Sequence, residues 1–305
     1  FEDTYRLADR VTVFRDAKYI GTWEVKEISR EGLIVAMVGR EITQLFPKKK
    51  AKIGEELLRV EGLGKIGFFA DISFTLHKGE ILGLTGLVGS GRSEVCQAIF
   101  GIMPYDEGKV YLEGKEVKIK SPLDAMKLGI GYLPEDRQKQ GLVLQWEISK
   151  NITLSALDKL SDKGWLNDDK EAEVAKELSE KVNVKANSIF DLVSSLSGGN
   201  QQKVIVAKLL SAELKFIILD EPTKGVDVGA KSAIHEIMSD LACQGYGIIM
   251  VSSEMPEVLG MSDRIIVMRE GRITAILDRE SATQEAILEA AMINKAGAEA
   301  CGSAI

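Results

Sequence analysis

Between Gly86 and Ser93 the sequence reads GLVGSGRS, directly after a buried apolar run, Glu80 to Thr85, and directly before Ser93 to Phe100, which carries helical periodicity. Strand, glycine-rich turn and helix in that order match the phosphate-loop pattern G-x-x-x-x-G-K-S, except that Arg92 stands where a lysine belongs. Gly86, Gly89 and Gly91 let the backbone bend so that its amides face the α- and β-phosphates of a nucleotide, and the helix dipole adds favourable charge. Leu87, Val88 and Ser90 complete the loop, Glu94 lies in the first helical turn, and Ser93 is placed to offer its hydroxyl to Mg²⁺. A planar guanidinium at Arg92 pairs with phosphate but reaches the β/γ bridge less readily than an ammonium. The alternative reading of the stretch is a purely structural glycine turn.

The rest of the chain gives that loop the sheet it needs. Leu57 to Val60 and Ile72 to Leu76 alternate as half-buried strands, while Ile130 to Leu133, Phe216 to Leu219 and Ile248 to Val251 read as buried strands. Asp168 to Val182 and Gly229 to Leu241 are amphipathic helices between them. Strand and helix in alternation predict an α/β fold with a mainly parallel core sheet, and the antiparallel start and finish predict a β annex on it. The strand Phe216 to Leu219 runs into Asp220 and Glu221. Carboxylates at the exposed end of a buried parallel strand lie beside the phosphate loop in such sheets; Asp220 there holds Mg²⁺ through water and Glu221 polarises the attacking water.

The 305 residues are 45% apolar and 28% charged, enough for one large core or two modest ones. A net charge of -7 speaks against an extended nucleic-acid surface. Cys96, Cys243 and Cys301 lie far apart without CxxC spacing, so neither a disulfide framework nor a zinc site is expected, and a reducing compartment fits. No apolar run approaches the roughly 20 residues that span a bilayer, and no signal-peptide pattern opens the chain, so membrane contact is expected only through a partner protein.

An internal repeat sets the boundaries. LADRVTVFRDAK at Leu7 to Lys18 aligns with MSDRIIVMREGR at Met261 to Arg272, placing Asp9 on Asp263, Arg10 on Arg264, Val13 on Val267 and Arg15 on Arg269 at one constant offset of 254 residues. Phe1 to Phe46 is therefore expected to be the last strands of a preceding domain, and residues 47–54, opening with Pro47 and three lysines, a linker. The main domain is expected over 55–280, with a helical subdomain at about 136–200, and a C-terminal helix and tail over 281–305.

LSGGNQQK at Leu196 to Lys203 resembles the signature of the ATP-binding cassette (ABC) family, and it stands before FIILDEPTKGVD at Phe216 to Asp227, in family order. A serine and two glycines at a helix N-terminus present amides and a dipole to a γ-phosphate; a simple N-cap at Ser197 is the local alternative. The resemblance covers about Glu55 to Glu280 and implies a P-loop NTPase of the ABC type with a helical signature subdomain. In the family the phosphate bound by Leu196, Ser197, Gly198, Gly199, Asn200 and Gln201 belongs to the opposite cassette. Asp227 takes the D-loop position. Together with Arg92, PEDR at Pro134 to Arg137 and VSSEMPEVLGMSDR at Val251 to Arg264, the signature is similar to the C-terminal cassette of simple-sugar importers, with the ribose branch the nearest in pattern; ATQEAILEAA at Ala282 to Ala291 adds weak support.

The resemblance also marks departures. Glu135 occupies the family's glutamine position, which senses Mg²⁺ and couples to the membrane domain, and Ser253 occupies the switch-histidine position. His77 and His235 are the only histidines and are expected to be ordinary surface or strand residues. Phe68 or Phe69 is available to stack on adenine. Trp146, within Gly141 to Ser155, is expected near a surface that meets the permease. The resemblance thus implies ATP and Mg²⁺ as cofactors, and a first cassette in the same polypeptide, membrane permease subunits and, indirectly, a sugar-binding protein as partners at the cytoplasmic face of the cell membrane. Glu221 would be the catalytic base of a site degraded by Arg92, Glu135 and Ser253, in a half that mainly lends its signature. A non-hydrolysing regulatory cassette is the alternative, and a soluble ATPase serving nucleic acid a more distant one.

Overall fold

The computed structural model describes residues 2–15, 18–38, 46–162 and 165–292. Helix α1 (Glu2–Leu7), the hairpin β1 (Arg10–Arg15) and β2 (Lys18–Glu24), and α2 (Arg30–Val38) precede the main body. The body opens with β3 (Glu56–Lys65), β4 (Phe69–His77), β5 (Ile81–Gly86) and α3 (Arg92–Ile99), followed by β6 (Glu107–Leu112), β7 (Lys115–Val117), α4 (Pro122–Lys127) and β8 (Ile130–Leu133). A helical region comes next: α5 (Ile148–Thr153), α6 (Leu157–Leu160), a two-residue hairpin β9 (Ser161–Asp162) and β10 (Trp165–Leu166), α7 (Asp168–Lys181) and α8 (Gly198–Leu210). The chain then returns to the sheet through β11 (Phe216–Asp220), α9 (Val228–Cys243), β12 (Gly247–Val251), α10 (Met255–Met261), β13 (Arg264–Arg269), β14 (Arg272–Asp278) and α11 (Gln284–Met292).

The central sheet has the order β14-β13-β5-β12-β11-β8, parallel except for the β13–β14 hairpin, and a second sheet, β4-β3-β6-β7, is antiparallel. Side chains alternate across a strand, so the buried runs divide themselves between two cores. In β11, Ile217 and Leu219 face the helices α5, α7, α8 and α9, whereas Phe216 and Ile218 face α3 and the antiparallel sheet. A strand buried on both faces has no polar alternation to show, which is why these runs read as continuous apolar stretches. No helix among the described residues is long and apolar enough to cross a membrane.

The N-terminal segment differs from an expectation of strands alone: its hairpin lies between two helices. Every one of these elements has a counterpart at the 254-residue offset. β1 and β2 match β13 and β14 end for end, and α2 matches α11. The register shift between Val13 and Phe14 recurs between Val267 and Met268. Val25 N donates to Asp9 O at 2.9 Å, as Arg279 N does to Asp263 O at 3.0 Å. Gly32 N donates to Ser29 Oγ as Ala286 N does to Thr283 Oγ1. The segment reaches the body through α2, which packs on α9, and through Phe46, whose ring lies 5.2 Å from that of His235. Lys48 anchors the following stretch on Asp263 at 2.6 Å. Cys301 and the tail 293–305 lie outside the described residues.

Candidate functional site

The phosphate loop hangs between the end of β5 and the start of α3. Gly86 has no room for a side chain, because a Cβ would stand 2.1 Å from Met268 O. Gly91, at φ 93°, is the left-handed residue that turns the chain into α3, and a Cβ there would press on Gly271 and on Phe68 O. Leu87 and Val88 are exposed, whereas Ser90 is buried with its hydroxyl unpartnered. That orphan oxygen, together with the open space beside Gly89, suits a loop shaped around an anion.

At the head of α3, Ser93 Oγ donates to Asp220 Oδ1 at 3.1 Å, and Tyr132 from β8 donates its hydroxyl to Asp220 Oδ2 at 2.9 Å. Burial pushes the Asp220 carboxyl above its ordinary range, against the pull of the Tyr132 and Ser93 hydroxyls. Ser93 and Asp220 are hard oxygen donors of the kind Mg²⁺ takes. Among the described residues no group of three or more His, Cys, Asp or Glu is arranged to hold a metal ion, so phosphate oxygens and water would have to complete such a shell.

Glu221, one residue beyond β11, sits at φ 50°, a conformation that costs a non-glycine residue about 1 kcal/mol. Its Oε2 accepts from Ser253 Oγ at 3.1 Å. Burial raises the Glu221 carboxyl from its usual range, opposed by that bond and by the Arg92 charge. Arg92 is itself buried and donates Nη1 to Ser252 O at 3.1 Å, so the guanidinium ties the phosphate loop to the loop after β12.

The signature begins α8. Ser197 is its N-cap by backbone conformation, yet its Oγ makes no capping bond and instead accepts from Asn200 Nδ2 at 3.1 Å. Gly199 lets α8 close on α9, since a Cβ would lie 2.3 Å from Ala230 Cβ. Leu196 and Gln201 pack below, Gln201 buried. Asp227 caps α9, its Oδ1 accepting from Ala230 N at 3.0 Å. Gly198 lies against Arg137 and Gly225 O, Gly199 against Ala230 and Val226, and Asn200 Oδ1 accepts from Lys185 N at 2.9 Å.

Two expectations need correction. Phe69 is 4% exposed, on the inward-facing side of β4, and cannot stack on a nucleotide base; Phe68, in the preceding turn, is 50% exposed. His235 is neither a surface nor a strand residue. It is buried on α9, held by Glu257 Oε1 at 2.6 Å, and Glu257 also accepts from Thr223 Oγ1 and Ser252 Oγ. A buried imidazole is tolerable because this carboxylate pairs with it. Among the remaining expected positions, Glu135 is exposed and paired with Lys224, and Trp146 is 46% exposed.

The sequence reading missed three residues that bear on the site. Tyr132 carried a faint signal, a phenol inside the otherwise apolar strand IGYL, which demands a partner for its hydroxyl. Glu257 had none beyond its place four residues past the switch position. Arg137 donates to Lys224 O at 2.6 Å and Gly225 O at 3.1 Å while lying against Gly198, linking the PEDR stretch, the D-loop and the signature.

A phosphate loop, a serine–aspartate pair at its helix, a carboxylate at the strand end and a separate helix-borne signature define an ATP-binding cassette on a P-loop NTPase fold. The sequence family described as ABC transporter matches residues 69–224. Over 290 residues the chain is 48% identical to the ribose import ATP-binding protein RbsA of Geobacillus kaustophilus, covering 95% of this chain and 59% of that protein. It is 47% identical over 290 residues to a putative ribose/galactose/methyl galactoside import ATP-binding protein of Rhizobium meliloti, covering 95% of this chain and 56% of the relative. The chain therefore spans less than two thirds of the length of these curated relatives. A nucleotide-free ATP-binding cassette from an ABC transporter shares the fold, with a TM-score of 0.68 at 23% identity over 79% of this chain and all of that one. The chain belongs to the ABC transporter family of ATP-binding cassettes.

Proposed function

We propose that the chain is the C-terminal cassette of a tandem ATPase that couples ATP binding and hydrolysis to import of a monosaccharide of the ribose type. Membrane permease subunits would be its partners at the cytoplasmic face, with a sugar-binding protein delivering the cargo. The names of the relatives support the substrate class, and the half-exposed Trp146 offers a surface for the permease. The 254-residue repeat, carried through to hairpin register and bulge, supports reading residues 1–46 as the end of a preceding cassette, residues 47–54 as a linker and 55–280 as the second cassette.

In this reading the amides of Gly86 to Ser93 hold the phosphates, Phe68 lies by the base, and Ser93 and Asp220 hold Mg²⁺, which supplies charge neutralisation when bound. Glu221 orients the attacking water and takes its proton; the burial that raises its carboxyl makes it the stronger base. One observation carries the division of labour: a hydroxyl, Ser253 Oγ, reaches Glu221 where the family pattern has an imidazole; Arg92, tied to Ser252 O, adds to it. Turnover at this loop is accordingly slow, and the half serves chiefly by offering Ser197, Gly198 and Gly199 to nucleotide on the preceding cassette.

Replacing Ser253→His and Arg92→Lys together tests the reading by phosphate release. The expected result is a rise of about a hundredfold, the scale of one positioned charge-stabilising donor. An unchanged rate overturns the assignment of a degraded site and favours a regulatory cassette that never hydrolyses ATP.

A further inference from the structure

The two oxygens of Asp220 are treated differently. Oδ1 faces Ser93 Oγ at 3.1 Å, on the side of the phosphate loop, while Oδ2 is held by the Tyr132 hydroxyl at 2.9 Å inside the fold. Asp220 is 1% exposed, so bulk water does not reach its inner oxygen, and a neutral phenol is a donor able to fill that role. A carboxylate turns easily about its terminal bond, whose torsion is broad and roughly two-fold, so a donor on one oxygen sets where the other points.

The phenol is in turn well fixed. β8 runs parallel to β11, placing Tyr132 beside Ile218 in register. The ring stacks on Phe100 with centroids 5.3 Å apart and planes 23° from parallel. Phe100 caps the C-terminus of α3, the helix whose first turn carries Ser93. Both donors to Asp220 are thus referred to one rigid element, Ser93 at its start and Tyr132 through the stack at its end.

We propose that Tyr132 is a positioning residue for metal binding, holding Asp220 Oδ2 so that Oδ1 is presented toward Ser93 and the phosphate loop. Tyr132 touches neither nucleotide nor metal in this assignment and acts only through Asp220. It rests on the reading that a magnesium nucleotide binds at this loop.

Tyr132→Phe keeps the ring and the stack and removes only the hydroxyl. With Mn²⁺ as probe, read by electron paramagnetic resonance on this chain in the presence of the nonhydrolysable analogue AMP-PNP, the variant should bind the ion about tenfold more weakly, the lower scale for losing a second partner of a metal ligand. AMP-PNP affinity measured in EDTA should stay unchanged, which a general structural defect would not allow. Unchanged Mn²⁺ affinity overturns the assignment, as does an equal loss of nucleotide binding in EDTA. If Tyr132→Phe fails to fold, Phe100→Leu loosens the stack while leaving the hydroxyl; weaker Mn²⁺ binding at constant EDTA affinity supports the proposal, and no change overturns it. A wild-type chain that takes up AMP-PNP but no Mn²⁺ removes the underlying reading and the proposal together, whereas failure confined to the variants removes only the role of Tyr132.

Discussion

The phosphate-loop side and the signature side of this cassette are built to different tolerances. On the loop side the candidate site side chains are held by polar contacts across long stretches of chain: Ser93 to Asp220, Arg92 to Ser252, Ser253 to Glu221. On the signature side the arrangement is set by close packing, with Gly199 against Ala230 and Gly198 against Arg137, and the Ser197 hydroxyl is left without a capping role. The loop side can therefore drift in chemistry while keeping its shape, and the signature side can keep its chemistry only by keeping its shape.

The sharpest way to test the contrast is to remove the strand-end carboxylate. Glu221→Gln should lower any phosphate release by this chain by about a hundredfold or more, with little change in the urea midpoint; release that persists would detach turnover from this side altogether. Gly199→Val should do the reverse. Its side chain would collide with Ala230 and cost about 2 kcal/mol of stability, read from urea unfolding, and a neutral result would break the claim that α8 is packing-limited. A finer comparison sets two helix starts side by side. Asp227→Ala removes a real cap and should cost about 1 kcal/mol, whereas Ser197→Ala should move stability by no more than about 0.5 kcal/mol.

The smallest expected effect concerns pH. Since Glu221 must be ionised to act as a base and burial raises its carboxyl, phosphate release should fall on the acid side at a pH above the ordinary glutamate range. The Ser253 hydroxyl lowers that value by bonding the charged form. Ser253→Ala should therefore shift the acid limb of the pH–rate profile upward, and a shift in the other direction would contradict the assigned bond.

Much of this arrangement was legible in the sequence, and the boundary of what was legible has a physical cause. Ile130 to Leu133 and Ile248 to Val251 were read as buried strands because continuous apolar runs of that length leave few alternatives, and the structure places β8 and β12 there. The phosphate loop was legible because glycines at 86, 89 and 91 are local requirements. Helix α2, by contrast, was hidden behind a reading of strands, since the apolar stretch GLIVAMV does not itself distinguish the two. The pairing of His235 with Glu257 and of Tyr132 with Asp220 spans 22 and 88 residues. Such partners are chosen by tertiary packing, and neither period nor motif announces them. Phe69 shows the same limit at one position: two adjacent aromatics look alike in sequence, but the pleat sends one inward and leaves the other at a turn.

The two copies of the hairpin differ in what covers them. β13 is bonded on both sides, to β14 and to β5, and its Met268 is fully buried; β1 is bonded only to β2 among the described residues, and its Phe14, at the matching position, is 67% exposed. A strand with one open row of amides and carbonyls and an uncovered aromatic calls for a pairing strand. In the proposed tandem that row and Phe14 would be covered by a strand of the preceding cassette equivalent to β5, as β5 covers β13 and Met268.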